Sequence, residues 1–168
     1  MDRAVELHAL DHHRLAALQK ISLNYFLEEC NPVNGLIADR TRAGAPASIA
    51  AVGMALTAYP VAVARGFMRR SAACERTLST LRFFWNSRQG PDKDVTGHKG
   101  FYYHFLDMQS GRRAWKSELS TVDTALLMAG ILVAGAYFRE DSEEDAEIRR
   151  LADALYRRVD WAWAQNGG

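Results

Sequence analysis

An all-α fold of antiparallel helical hairpins is predicted by three observations on this 168-residue sequence. Helical segments rich in charge alternate with segments almost free of it. The connections before the charge-free segments are long and carry many functional side chains: NPVNGLIADRTRAGAP at 31–46 and QGPDKDVTGHKGFYYHFLDMQSGRRAWKSE at 89–118. The other connections, near 64–67 and 138–141, are short. In a chain of antiparallel helices, alternate connections lie at the same end. Both rich loops are therefore expected on one face, each leading into a buried helix.

Five helices follow from periodicity and caps. The first is expected over about 11–29, with Asp11 as N-cap and Leu18, Ile21 and Tyr25 on its apolar stripe. The second, about 47–63, is apolar on every side and is expected to be buried. The third starts after Ser71 and carries Cys74, Leu78, Leu81 and Trp85 on one stripe. The fourth starts at Ser120, where Ser120-x-x-Asp123 has the form of a capping box, and runs without charge through ALLMAGILVAGAYF. The fifth starts at Ser142, where Ser142-x-x-Asp145 repeats the cap, with Ile148, Leu151, Leu155, Val159 and Ala162 on its stripe. The order is outer, inner, outer, inner, outer. Between the third and fourth helices, FYYHFLD and RRAW flank MQSG, a short β-hairpin with Ser110 and Gly111 in the turn.

Composition excludes several classes. A formal net charge of +1 with no charged tail offers nucleic acid no footprint. Cys30 and Cys74 fall on separate helices without metal-type spacing and read as buried or half-buried thiols. The start, MDRAVELHALDHHRL, lacks the apolar stretch of a signal peptide, which makes the cytoplasm the expected location. Residues 43–64 are uncharged, but Gly53, Pro60 and many alanines make them too weakly apolar for a membrane span. No obligate protein partner is evident. His8 and His12 stand four apart without a third ligand, so no metal is expected there. The acidic run at 139–147 lacks the alternating ligands and glycine of a calcium loop. No cofactor motif appears.

Two buried helices without a third layer cannot cover their own apolar sides. The hairpin unit repeats at about 60–70 residues, and the chain ends at WAWAQNGG where a further inner helix is expected. The 168 residues are thus expected to be the N-terminal part of one larger domain, inactive in isolation.

Six segments, NPVNGLIADR, SIAAVGMALTAYPVAVARGF, TLRFFW, HKGFYYHFLDMQSGRRAW, SELSTVDTALLMAGIL and DWAWAQNGG, carry a resemblance in that order. They resemble the bacterial glucoamylase-like family that includes the endo-β-1,2-glucanases, from about Ser22 onward. The resemblance implies a six-hairpin α/α toroid with a glycan cleft at the ends of its inner helices. The present chain would then be an incomplete toroid of about two and a half hairpins. It implies a glycoside hydrolase acting on β-glucan, with β-1,2 linkage resting on the resemblance alone.

Glycoside hydrolysis needs a proton donor and a second carboxylate. Glu118, just before the fourth helix and near Trp115, is the expected general acid, provided burial against Trp115 outweighs the pKa-lowering helix end. Asp39 and Arg40 read equally as a sugar-binding pair or as a loop ion pair. Asp123 has a capping role with sugar contact as the lesser reading, and Asp107 is expected to stabilise the hairpin. The aromatic segment 101–105 should alternate its faces, and Tyr103, His104 and Trp115 are candidate sugar contacts. The second carboxylate, the stereochemistry and the glucan length are open. Two rival readings stand: a polysaccharide lyase with Tyr103 or His104 as base, and a glycan-binding toroid without catalysis.

Overall fold

A computed structural model describes residues 3–165, with side chains from Asp11 onward; His8 therefore lies outside the described side chains. The elements are α1 (Arg3–Glu28), β1 (Ala47–Ser48), α2 (Ile49–Ala64), α3 (Arg70–Asn86), β2 (Gly97–His98), β3 (Phe101–Tyr103), β4 (Phe105–Leu106), β5 (Leu119–Ser120), α4 (Thr121–Tyr137), α5 (Glu143–Arg158) and the single turn α6 (Trp161–Ala164). The five expected helices are all present, and α1 begins earlier than Asp11. No helix among the described residues is long and apolar enough to cross a membrane.

Caps fix where the inner helices begin. Ser48 accepts from the Ala51 N–H at the start of α2, and Ser120 accepts from the Asp123 N–H at the start of α4. Ser142 does the same for α5 through the Asp145 N–H. α2 and α4 lie side by side and approach backbone to backbone. A Cβ on Gly53 would stand 2.3 Å from the Leu126 carbonyl oxygen, and one on Gly130 would stand 2.1 Å from that of Gly53.

The outer helices α3 and α5 run parallel to each other, pinned at both ends. Arg70 at the start of α3 pairs with the fully buried Asp145 at the start of α5. Arg158 at the end of α5 donates to the carbonyls of Phe84 and Trp85 at the end of α3. That guanidinium also lies 4.0 Å over the ring of Trp85, which is exposed, while its neighbour Phe84 takes the core position at the end of the α3 stripe. The core joins Leu56, Tyr59 and Val52 of α2 to Leu127 and Ile131 of α4 and to Leu81, Phe84, Ile148 and Leu155 of the outer pair.

Two expectations on burial need correction. Leu18 and Ile21, assigned to the packed stripe of α1, are 59% and 66% exposed, because Leu23 and the half-buried Tyr25, Phe26 and Leu27 make the contact instead. The inner helices are not buried all round. Of four side chains that an uncovered inner face would be expected to expose, Met54 is exposed and Leu56, Leu127 and Ile131 are fully buried; Val61, Leu126, Leu132 and Val133 are exposed as well. Leu18, Phe26, Met54, Val61 and Leu126 line an open apolar groove of about 570 Å³ between α1, α2 and α4.

The hairpin forms, with Leu106 bridged to Arg113 and Gly111 in the turn at φ 67°. Its strands, however, pair mainly elsewhere. β4 pairs antiparallel with β1, matching Ser48 to Phe105, and β3 is the centre of a β2-β3-β5 sheet, matching Tyr102 to Gly97 and Ser120. These long-range pairings tie the aromatic segment to the starts of both inner helices.

Candidate functional site

The two rich loops meet at one end, as their alternation requires. The Asn31 and Asn34 side chains both donate to the Met108 carbonyl, at 2.7 and 3.0 Å. Directly after Asn34, Gly35 takes φ 71° and packs so closely on Thr80 that a Cβ would stand 1.9 Å from its hydroxyl. Ala38 bridges to Ala47, which places Asp39 beside β1 and the start of α2. Glu118 directly precedes β5 and the start of α4. Residue His104 links the two: its carbonyl accepts from the Ile49 N–H, and its N–H donates to the Glu118 carbonyl. Asp39 and Glu118 therefore both belong to the end where α2 and α4 begin.

Three expected residues converge there. His104 Nδ1 stands 2.8 Å from Glu118 Oε1 and 3.7 Å from Asp123 Oδ2. Only the nearer distance is a hydrogen bond. Asp123 is held by the cap, its Oδ2 accepting from the Ser120 hydroxyl at 2.5 Å. The His104 ring stacks on Phe105 at 3.8 Å, and Phe105 meets Trp115 edge-on at 5.6 Å. A chain of contacts thus runs from Trp115 through Phe105 and His104 to Glu118. Trp115 is 70% exposed and adopts φ 53°, a backbone conformation costly for a bulky side chain and most often kept at functional positions.

Glu118 is not buried against Trp115; its side chain is 66% exposed. Its own backbone N–H, then the His104 hydrogen bond, hold the carboxyl below its ordinary range, with His104 and Arg113 adding favourable charge. The environment favours the ionised form. Among the described residues, none buries the carboxyl enough to raise it.

Other candidates fall outside this cluster. Asp39 pairs with its neighbour Arg40 at 2.8 Å, an arrangement compatible with both readings of the pair. Tyr103 is 8% exposed, and the Arg113 guanidinium lies 4.3 Å over its ring, so neither its face nor its hydroxyl is presented as a free platform. The expected alternation of faces holds within β3, but both faces are covered, and it breaks at His104 and Phe105, whose rings stack. Tyr102 packs on Phe84 while Phe101 packs on Trp161. Asp107 does stabilise the turn: its Oδ1 accepts from the Ser110 N–H and hydroxyl and from the Gln109 N–H, which lowers its carboxyl below the ordinary range.

Two partners were not legible in sequence. Arg113 donates to the Ser117 carbonyl and shapes the approach to Glu118, and the Thr124 hydroxyl accepts from the Tyr102 N–H. The first spans four residues of a loop without periodicity and the second spans 22, so neither is announced by local sequence. A cleft of about 460 Å³ lies beside the cluster between the two loops, lined by Arg42, Pro46, Asp107, Gln109 and Trp115. Among the described residues, His104, Glu118 and Asp123 are the one donor set compact enough to hold a metal ion, their ligand atoms lying within 4.8 Å of one another.

No family model matches the sequence. A curated relative from Parabacteroides distasonis, described as an exo β-1,2-glucooligosaccharide sophorohydrolase (non-reducing end), is 27% identical over 160 residues. That match takes in 91% of this chain and 21% of the relative, so the chain spans about a fifth of the relative's length. A structure titled "putative glucoamylase" from Bacteroides uniformis superposes with a TM-score of 0.79 at 28% identity, over 91% of this chain and 37% of its own. The β-1,2-glucanase structure from Parabacteroides distasonis has the same TM-score at 24% identity, over 91% of this chain and 22% of its own, and supports the fold alone. Over nine-tenths of its length, then, this chain is homologous to bacterial proteins named as glucoamylase-like and as β-1,2-glucan hydrolases.

Proposed function

We propose that the protein is a glycoside hydrolase acting on β-glucan, with β-1,2-linked glucose as substrate. The observation that carries this reading is the ionised Glu118, oriented by His104 and linked through it and Phe105 to the exposed Trp115. A carboxylate beside an exposed indole is what glycoside cleavage asks of a site: a charge to meet the oxocarbenium-like centre and a flat surface for a sugar ring. Because the surroundings of Glu118 favour the charged form, its role is that of the carboxylate that activates water or attacks the anomeric carbon. The proton donor is a second carboxyl group. Trp115 stacks the sugar, and the cleft between the loops receives the neighbouring unit. Asp39 and Arg40 serve as secondary hydroxyl contacts at its rim.

In this reading the helices are about two and a half of the six hairpins of an α/α toroid. The exposed apolar faces of α2 and α4, and the small share of the relatives that the chain spans, support it. The β-1,2 linkage is common to the names of the curated relative and of the β-1,2-glucanase structures.

The test is to incubate the full-length protein with linear β-1,2-, β-1,3- and β-1,4-glucans. New reducing ends from the β-1,2 polymer, without ultraviolet absorbance from a double bond, are expected. Products of mixed length would mark internal cleavage, and a single disaccharide would mark attack from an end. Unsaturated products would establish a lyase instead, and binding without new ends would establish a non-catalytic module.

A further inference from the structure

His104 is the most constrained polar side chain of the cluster, and its constraints point in one direction. Both of its backbone groups are used, one on the start of α2 and one on the segment before β5. Its ring is pinned flat on Phe105, with centroids 3.8 Å apart and planes 16° apart. Nδ1 faces Glu118 at 2.8 Å, while Asp123 stands beyond hydrogen-bond reach at 3.7 Å. An ionised carboxylate cannot donate, so the proton of this contact resides on Nδ1. The imidazole therefore reaches Glu118 through one identified atom and is not free to turn away.

We propose that His104 is a positioning residue rather than a sugar contact: its Nδ1–H orients the Glu118 carboxylate for attack or for activating water. This rests on the catalytic reading of Glu118 above. The charged groups that face the pair are Asp123 from α4 and Arg113 from the hairpin. Asp123 is already committed to the Ser120 hydroxyl and the helix cap, so it does not take the Nδ1 proton. The His104 hydrogen bond is also one of the causes holding Glu118 below its ordinary range, behind the backbone N–H of Glu118 itself.

Two isosteres separate the roles of the two ring nitrogens. The amide nitrogen of Asn overlays Nδ1 of His, and that of Gln overlays Nε2. In the full-length protein, His104→Ala and His104→Gln should each lower kcat on β-1,2-glucan by about 30-fold or more with KM changed less than about twofold. His104→Asn should recover about tenfold of the loss relative to His104→Ala. The titration of the Glu118 side-chain carboxyl, followed by carbon-13 NMR, should move upward in His104→Ala and stay close to wild type in His104→Asn. Recovery by Gln instead of Asn, or a raised KM with kcat unchanged, would assign His104 to the substrate and overturn the proposal. A Glu118 titration unmoved in His104→Ala would overturn it as well. If the wild-type protein cleaves no glucan, the catalytic reading fails separately, and the NMR titration still decides whether His104 positions Glu118.

Discussion

Asp145 and Glu118 are both carboxylates held below their ordinary range, yet for opposite purposes. Glu118 is exposed and keeps its charge available to a ligand. Asp145 is fully buried, and burial alone would push its carboxyl up; the Arg70 guanidinium, the Glu140 N–H and the Ser142 hydroxyl more than offset it. The result is a structural anchor between α3 and α5. Its folded pKa lies below the unfolded value, about 3.9, so its contribution is fully present above that pH and is lost as pH falls through the folded value. Asp145→Asn removes the charge from a pair in which Arg70 is 28% exposed, and should cost about 3 kcal/mol at neutral pH. Thermal unfolding checks this. The variant should melt well below wild type at pH 7, and the gap should narrow on acidification below about pH 4. A gap independent of pH would mean that the pair contributes little.

At the scale of elements, the contact between α2 and α4 decides where the site lies, since both helices must start together for His104 to reach across them. Gly53 and Gly130 make that approach possible by leaving the facing backbones bare. Gly53→Ala would gain helix propensity but would force a Cβ onto the Leu126 carbonyl. The overpacking should dominate, with a net loss of about 2 kcal/mol. Gly90→Ala, with nothing within 4 Å, serves as the control and should be silent in the same denaturant titration. A neutral Gly53→Ala would show that the two helices are free to separate.

Helix starts were legible because a Ser cap and a change of periodicity are local signals, as at Ser120 and Ser142. The covering of β3 was not, because Phe84 and Trp161, which pack on Tyr102 and Phe101, come from α3 and α6, far from it along the chain. Periodicity grouped Leu18 with Ile21 correctly on one face of α1, but it does not say what, if anything, covers that face.

For the whole molecule, the rich loops and the inner-helix starts share one end, while the short 65–69 and 138–142 connections lie at the other. This division separates a polar working end from a plain structural one. The site's three members come from β4's approach, the segment before β5 and the first turn of α4, so no single element holds it. The apolar groove of α1, α2 and α4 lies away from this cluster, and its lining contains none of the polar residues of the site. Stability and chemistry thus reside in different parts of the molecule, which lets a substitution at the cluster be tested without dismantling the core.

The most direct measurement is the hydrolysis of β-1,2-glucan by the full-length protein and its Glu118→Gln variant, read as new reducing ends. Glutamine keeps the shape of the side chain and removes its charge. Turnover should fall by about 100-fold or more, with glucan affinity changed little. A Glu118→Gln protein that cleaves the glucan at close to the wild-type rate would contradict the assignment of the catalytic carboxylate.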